Sequence, residues 1–182
     1  MYDDGSRPAW FAVVTKSRHE KLVSQQLRSK GIEEFLPMYP VRKRWSDRYM
    51  TVELPLFTGY VFCRFQPEQT LPILSTTGVA SIVSFGGRPA PIPETEIDSV
   101  KAVLQSGLPA SPWPYLRAGE RVRIRSGAMD GVEGVLLRDK DSLRVVVSVE
   151  LLQRSVAVEI DRDVLEPAGK ASRRVEARPG RL

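Results

Sequence analysis

The sequence predicts an α+β fold: an antiparallel sheet covered by helices, joined by a proline-rich linker to a small SH3-like β-barrel. Three observations carry this prediction. Extended and helical patterns alternate as strand–helix–strands–helix–strand–helix through residues 9–106. The stretch Gly107-Leu-Pro-Ala-Ser-Pro-Trp-Pro-Tyr115 then has three prolines and no apolar period, the mark of a stiffened linker. Beyond it, five short β-rich runs follow closely between residues 120 and 165.

Trp10–Thr15 is an unbroken apolar run of β formers and reads as a buried strand. Ser17-Arg-His-Glu20 has capping-box spacing, and Leu22, Val23 and Leu27 mark one face of the helix that follows, with Gly31 placed to end it. Phe35-Leu-Pro-Met-Tyr39 reads as a short strand. Arg42-Lys-Arg-Trp-Ser-Asp-Arg48 reads as a polar hairpin tip, from which Met50–Leu54 returns. Pro55 and Gly59 bracket a bend, and Gly59–Phe65 is a central strand rich in aromatics. Pro67–Ser75 is expected as a short helix made irregular by Pro72. Val79–Phe85 is a strand with Gly86-Gly87 as its turn. Pro93 starts a last helix whose Glu94 and Glu96 complement the dipole and whose Ile97, Val100, Val103 and Leu104 form one face.

In the second half, Glu120–Arg125, Gly134–Arg138, Arg144–Leu151, Ser155–Ile160 and Val164–Leu165 read as strands. Gly127, Gly131, Gly134 and Asp139-Lys-Asp141 punctuate them. The β-branched runs Val145–Val147 and Val156–Val158 favour strands over helices, so a stable barrel is expected. The organisation is therefore 9–106, a linker at 107–115, a barrel at 116–167, and a basic tail at 168–182 whose composition predicts disorder.

Composition narrows the function. Of the 182 residues, 42% are hydrophobic and 27% charged, as in ordinary globular proteins. No apolar run approaches the roughly 20 residues of a membrane helix, and the start lacks the pattern of a secretory signal. With one cysteine, Cys63, no disulfide can form within the chain, and a reducing cytoplasm is the expected setting. One histidine and one cysteine cannot supply a structural zinc site, and His19 beside a helix start is a poor centre for a catalytic triad. No phosphate loop or dinucleotide fingerprint is present. An enzyme is not expected, and neither is a cofactor. The net charge of +5 divides into +2 for residues 1–106, −1 for 107–167 and +4 for 168–182. Any nucleic-acid contact in the folded parts must come from a local patch.

One ordered set of segments goes further. Glu53-Leu-Pro-Leu-Phe-Thr-Gly-Tyr-Val-Phe-Cys-Arg-Phe65 lies between Trp10-Phe-Ala-Val-Val14 and the pair Thr77-Gly-Val79 and Phe85-Gly-Gly-Arg-Pro-Ala-Pro91. This set resembles the NusG amino-terminal (NGN) domain of bacterial transcription factors. Gly119-Glu-Arg-Val-Arg-Ile-Arg-Ser-Gly127, Asp130-Gly131, Glu133-Gly-Val-Leu136 and the segment Val147–Ile160 resemble the KOW module that follows it in that family.

The resemblance implies a transcription elongation and antitermination factor without enzymatic activity, acting as a monomer on RNA polymerase. Docking on the clamp coiled coil is implied for Trp10, Phe57, Tyr60 and Phe62; aromatic anchors suit such a contact. Tyr60 and Phe62 share one strand face, Val61 and Cys63 the other, and alternation leaves open which face docks. Gln69 and Thr70 match the segment facing a loop on the opposing jaw, although Gln69-Thr-Leu-Pro72 departs from the His-Thr-Thr-like stretch of specialised members. Lys16, Ser17, Arg18 and His19 at a helix start, with Thr76 and Thr77, match the site of the displaced non-template DNA strand. Arg42, Lys43, Arg44 and Trp45 read either as a second nucleic-acid contact, where base stacking is worth roughly 1–3 kcal/mol, or as a solvated loop. Leu151, Leu152, Gln153 and Arg154 match the surface that recruits termination factor Rho or a small-subunit ribosomal protein, with both leucines expected to be exposed. Gly127-Ala-Met-Asp130, where housekeeping members show Gly-Pro-Phe, leans towards a specialised paralogue. A general factor that assists Rho and a ribosome-associated RNA-binding protein are the alternatives.

Overall fold

The computed structural model describes residues 7–115, 119–138 and 142–168. The turn at 139–141 and the basic tail beyond Ala168 lie outside them. The first unit is a mixed α/β body. Strand β1 (Ala9–Thr15) is its middle, followed by helix α1 (Glu20–Ser29) and the short β2 (Glu33–Phe35). A long hairpin, β3 (Met38–Trp45) and β4 (Arg48–Pro55), leads to β5 (Tyr60–Phe65). A 3₁₀ turn at Pro67–Gln69 precedes α2 (Thr70–Leu74), so the expected single helix is split. Then come β6 (Val79–Ile82), a small hairpin of β7 (Ser84–Phe85) and β8 (Arg88–Pro89), β9 (Pro91–Ile92) and α3 (Glu94–Gln105).

The main sheet is antiparallel in the order β2-β5-β1-β6, with β9 also paired to β1. Its register opposes Trp10 to Arg64, Ala12 to Phe62 and Val14 to Tyr60, so these six residues share a face. Phe11, Val13, Val61, Cys63 and Phe65 occupy the other and pack with Val23 and Leu27 of α1 and Ile73 of α2. On the first face, Ile97, Val100 and Val103 of α3 join Trp10, Ala12 and Phe62 in one cluster. Helices thus cover both faces, which is why β1 is apolar without alternation. Burial pushes the Cys63 thiol far up from its ordinary value, with the nearby Glu34 carboxylate adding to the shift.

The second unit is a six-stranded sheet: β10 (Ala110–Pro114), β11 (Glu120–Ile124), β12 (Glu133–Arg138), β13 (Leu143–Val149), β14 (Arg154–Glu159) and β15 (Leu165–Pro167). The order is β10-β14-β13-β12-β11-β15. The segment expected as a linker therefore supplies a strand, because β10 sits at the sheet edge, paired only to β14. Prolines at 112 and 114 fall where an edge strand needs no outward donor. No described helix is long and apolar enough to cross a membrane.

The two units share a core. α3 lies against β1 on one side and against β13 and the Gly127–Met129 turn on the other. One continuous apolar cluster runs from Trp10, Leu56, Phe57 and Phe62 through α3 to Val122, Ile124, Met129, Val149 and Leu152 of the barrel.

Close backbone approach governs the barrel at Gly134: a Cβ there would meet Val145 Cγ1 and the Val146 carbonyl oxygen, both at 2.6 Å. Backbone cannot rotate away as a flexible side chain can. Gly134→Ala should cost about 1–3 kcal/mol, read as a lower urea midpoint for the barrel signal, whereas Gly86→Ala, with nothing within 4 Å, should cost only the strain of its positive φ.

Candidate functional site

Three chain-distant segments meet at one end of the main sheet. The Lys16 N–H donates to the Gly78 carbonyl (2.8 Å) and the Thr15 N–H to the Gly59 carbonyl (2.9 Å). Glu20, only 5% exposed, accepts from the Gly59 N–H at 2.8 Å. These bonds tie the start of α1, the turn before β5 and the loop after α2 together. The expected Ser17–Glu20 capping box does not form: α1 begins at Glu20 behind His19, with no side-chain cap. The buried Glu20 is drawn to the half-buried Gly59 donor, where an unpaired N–H is the costlier omission.

Lys16, Ser17 and Arg18 are exposed here and His19 is half-buried. The His19 Nδ1–H donates to the Ser17 carbonyl at 2.8 Å. Arg18 has a φ of 61°, uncommon for a residue with a side chain. Gly78 allows the loop to close on α1, since a Cβ there would come within 3.0 Å of the His19 ring. Thr77 is exposed, but Thr76 is buried and its hydroxyl is occupied: Lys30 Nζ donates to it (2.7 Å) and it donates to the Pro72 carbonyl (2.9 Å). Thr76 is therefore a loop fastener rather than a surface contact.

The aromatic residues expected to form an open hollow are mostly inside. Trp10, Phe57 and Phe62 are 2%, 1% and 0% exposed, while Tyr60 is half-buried. Phe57 and Phe62 meet edge to face at 5.4 Å. Lys101 Nζ of α3 lies 4.6 Å from the Trp10 ring centre. The expectation failed because alternation assigns residues to a face without saying what covers it, and here α3 covers it. Tyr60 alone of the four reaches the rim.

Gln69 is exposed and Thr70 half-buried. The Gln69 side-chain oxygen accepts from the Gln66 N–H at 3.5 Å. Beside them, Leu71 and Leu74 are 77% and 46% exposed, an apolar pair that the sequence reading passed over. Its signal was the single inward residue, Ile73, of so short a helix.

In the barrel, a 3₁₀ turn at Glu150–Leu152 precedes Gln153, whose φ is 51°. Gln153 and Arg154 are exposed, but Leu152 is 8% exposed and Leu151 half-buried, against the expectation of two exposed leucines. The turn faces the first unit: the Glu150 N–H donates to Glu96 Oε2 of α3 at 3.2 Å. A cleft of ≈ 450 Å³ is lined by Leu56 before β5, by Pro112–Pro114 of β10 and by Gln153–Ser155. The barrel's arginines are largely engaged, Arg123 with Glu133, Arg138 with Glu120 and Arg144 with Glu159. Among the described residues no group of His, Cys, Asp and Glu side chains could hold a metal ion.

An α+β body carrying a small barrel, with exposed cationic and apolar side chains near one end of its main sheet, presents a surface suited to binding. The family profile described as "NusG: Transcription termination factor nusG" matches residues 8–101. The chain is 31% identical over 180 residues to the transcription termination/antitermination protein NusG of Escherichia coli (strain K12), covering 91% of this chain and 99% of that one. It is 27% identical to the protein of the same name from Borreliella burgdorferi, over 87% of this chain and 97% of that one. The solved structure titled "Domain interaction in Thermotoga maritima NusG" superposes with a TM-score of 0.55 at 23% identity, covering 90% of this chain and 98% of that one, and shares the fold. This chain belongs to the NusG family of transcription factors.

Loss of water around Glu96 raises its carboxyl above the ordinary value; the bond from the Glu150 N–H pulls it down, and the Glu150 charge adds a smaller rise. Burial of Glu96 in the folded chain therefore favours its protonated form. The contribution of Glu96 is fully present below the ordinary carboxylate range and is lost as pH rises through the raised value. Chemical shifts of Val149 and Leu152 amides should move towards the packed state on acidification from neutral pH. Glu96→Gln should hold them there at neutral pH and remove the dependence.

Proposed function

We propose that the chain docks as a monomer on the clamp coiled coil of RNA polymerase and favours continued elongation by restraining clamp opening, a shift of populations towards the closed clamp. Tyr60 forms the reachable part of the docking surface, backed by the buried Trp10, Phe57 and Phe62. Gln69 and Thr70, with the exposed Leu71 and Leu74 beside them, face a loop on the opposing jaw. Lys16, Ser17, Arg18, His19 and Thr77 meet the displaced non-template DNA strand, and Arg42, Lys43, Arg44 and Trp45 supply a second nucleic-acid contact. The turn Leu151, Leu152, Gln153 and Arg154 recruits Rho or a small-subunit ribosomal protein. These events belong in the cytoplasm, on transcribing polymerase.

The observation that carries this reading is the seam. The docking residue Phe57, its neighbour Leu56 and the recruiting residue Leu152 belong to one buried cluster. Each unit thus covers part of the surface the other needs, and polymerase binding requires the units to part. Coupling of this kind makes recruitment of the second partner conditional on clamp docking.

Affinity for core RNA polymerase, measured with the full chain, tests both parts. Tyr60→Ala should weaken binding about tenfold or more, in the range of a truncated hot spot, without changing the thermal midpoint by more than a few degrees. Leu152→Asp should open the seam and tighten binding. Unchanged affinity in Tyr60→Ala refutes the docking assignment, and weaker binding in Leu152→Asp refutes the seam as an obstacle.

A further inference from the structure

The hairpin β3–β4 forms its own two-stranded sheet, with Tyr39 at its base packed on the core. Each strand has eight residues, so the ribbon is about 25 Å long at roughly 3.3 Å per residue. Every residue from Arg42 to Thr51 is exposed, so both faces of its outer half are bare. A two-residue turn, Ser46-Asp47, joins the strands, with Ser46 at a φ of 53°.

The register divides the cations between the faces. Arg42 opposes Thr51 and Arg44 opposes Tyr49 on one face; Lys43 opposes Met50 and Arg48 opposes Trp45 on the other. Four cations stand against the single acid Asp47 between 42 and 48. Among the described residues none of the four has a carboxylate partner within ion-pair distance, unlike the paired arginines of the barrel. Arg42 lies 4.4 Å over the Tyr49 ring, which sets its direction without neutralising it.

We propose that this ribbon seats in the major groove of double-helical B-form DNA and reads its backbone rather than its sequence. The inference rests on the reading that the hairpin meets nucleic acid, and it names the partner. A single strand lying on one face would use only half of the cations. A groove presents a phosphate rail on either side, so Arg42 and Arg44 meet one strand while Lys43 and Arg48 meet the other. The B-DNA major groove, about 12 Å wide, admits a two-stranded β-ribbon, whereas the deep, narrow major groove of duplex RNA does not. Trp45, 65% exposed beside Arg48, adds apolar contact but is not what holds a duplex.

Fluorescence anisotropy of the full chain tests this against three labelled probes of one sequence: a DNA duplex about two helical turns long, the single DNA strand and the RNA duplex, over a salt series. The DNA duplex should bind tightest. Arg42→Ala/Arg44→Ala and Lys43→Ala/Arg48→Ala should each weaken duplex binding about tenfold and lower the salt slope by about two. Trp45→Ala should stay within about twofold. Unchanged circular-dichroism melts show that the variants are folded. If Trp45→Ala abolishes binding and the single strand is preferred, the ribbon is a single-strand platform: the nucleic-acid reading stands and the groove proposal falls. A silent pair on either face, or preference for duplex RNA, also overturns it. If neither pair changes binding to any probe, both readings fall.

Discussion

Helix α3 is shared between two cores, and the arrangement of the molecule depends on that sharing. Its inner side closes the main sheet over Trp10 and Phe62; its outer side receives β13 and the Gly127–Met129 turn of the barrel. A barrel of about fifty residues has a thin core of its own, so apolar surface offered by α3 stabilises it. The same surface makes the packing conditional, because it is one helix wide and carries a carboxylate, Glu96, at its edge. Two acidic residues, Glu96 and Glu150, sit side by side in the seam, joined only by a backbone donor. Apolar burial favours closure, and loss of water around Glu96 opposes it.

Electrostatics sort the rest of the surface. Arg123 and Arg144 on the barrel strands are matched by Glu133 and Glu159 directly across the ladder, as cross-strand pairs of opposite charge should be. Among the described residues the hairpin cations have no such partners, and those at the start of α1 are exposed. Although residues 1–106 carry a net charge of only +2, their positive charge is concentrated on a bare ribbon and a helix start. The distribution, not the total, identifies where an anionic polymer is met.

Most of the fold was legible because each strong pattern had one physical solution. The unbroken apolar run at 10–14 had to be covered on both sides, and the Ile97-Val100-Val103 spacing had to be a helix face. The failures have physical reasons too. Alternation placed Tyr60 and Phe62 together but could not say that α3 covers Phe62 and leaves Tyr60 at the rim. Leu152 looked like an exposed turn residue because its partner surface lies on the other unit, invisible to local sequence. Pro112 and Pro114 read as a linker, since an edge strand that needs no outward donor looks like a proline-rich tether. Glu20 read as a capping residue, whereas the half-buried N–H of Gly59, far along the chain, claims it. Each miss involves a long-range partner, and local patterns carry no record of those.

Electron–electron distance measurement across the seam tests the central claim most directly. Spin labels on cysteines introduced at the exposed Lys21 and Arg121, with the buried Cys63 replaced by Ala, report the separation of the two units in the full chain. One narrow distribution in the free protein, lengthening and broadening on addition of core RNA polymerase, is the result the shared helix predicts. A distribution already broad in the free protein, or a narrow one that polymerase leaves unchanged, would contradict it.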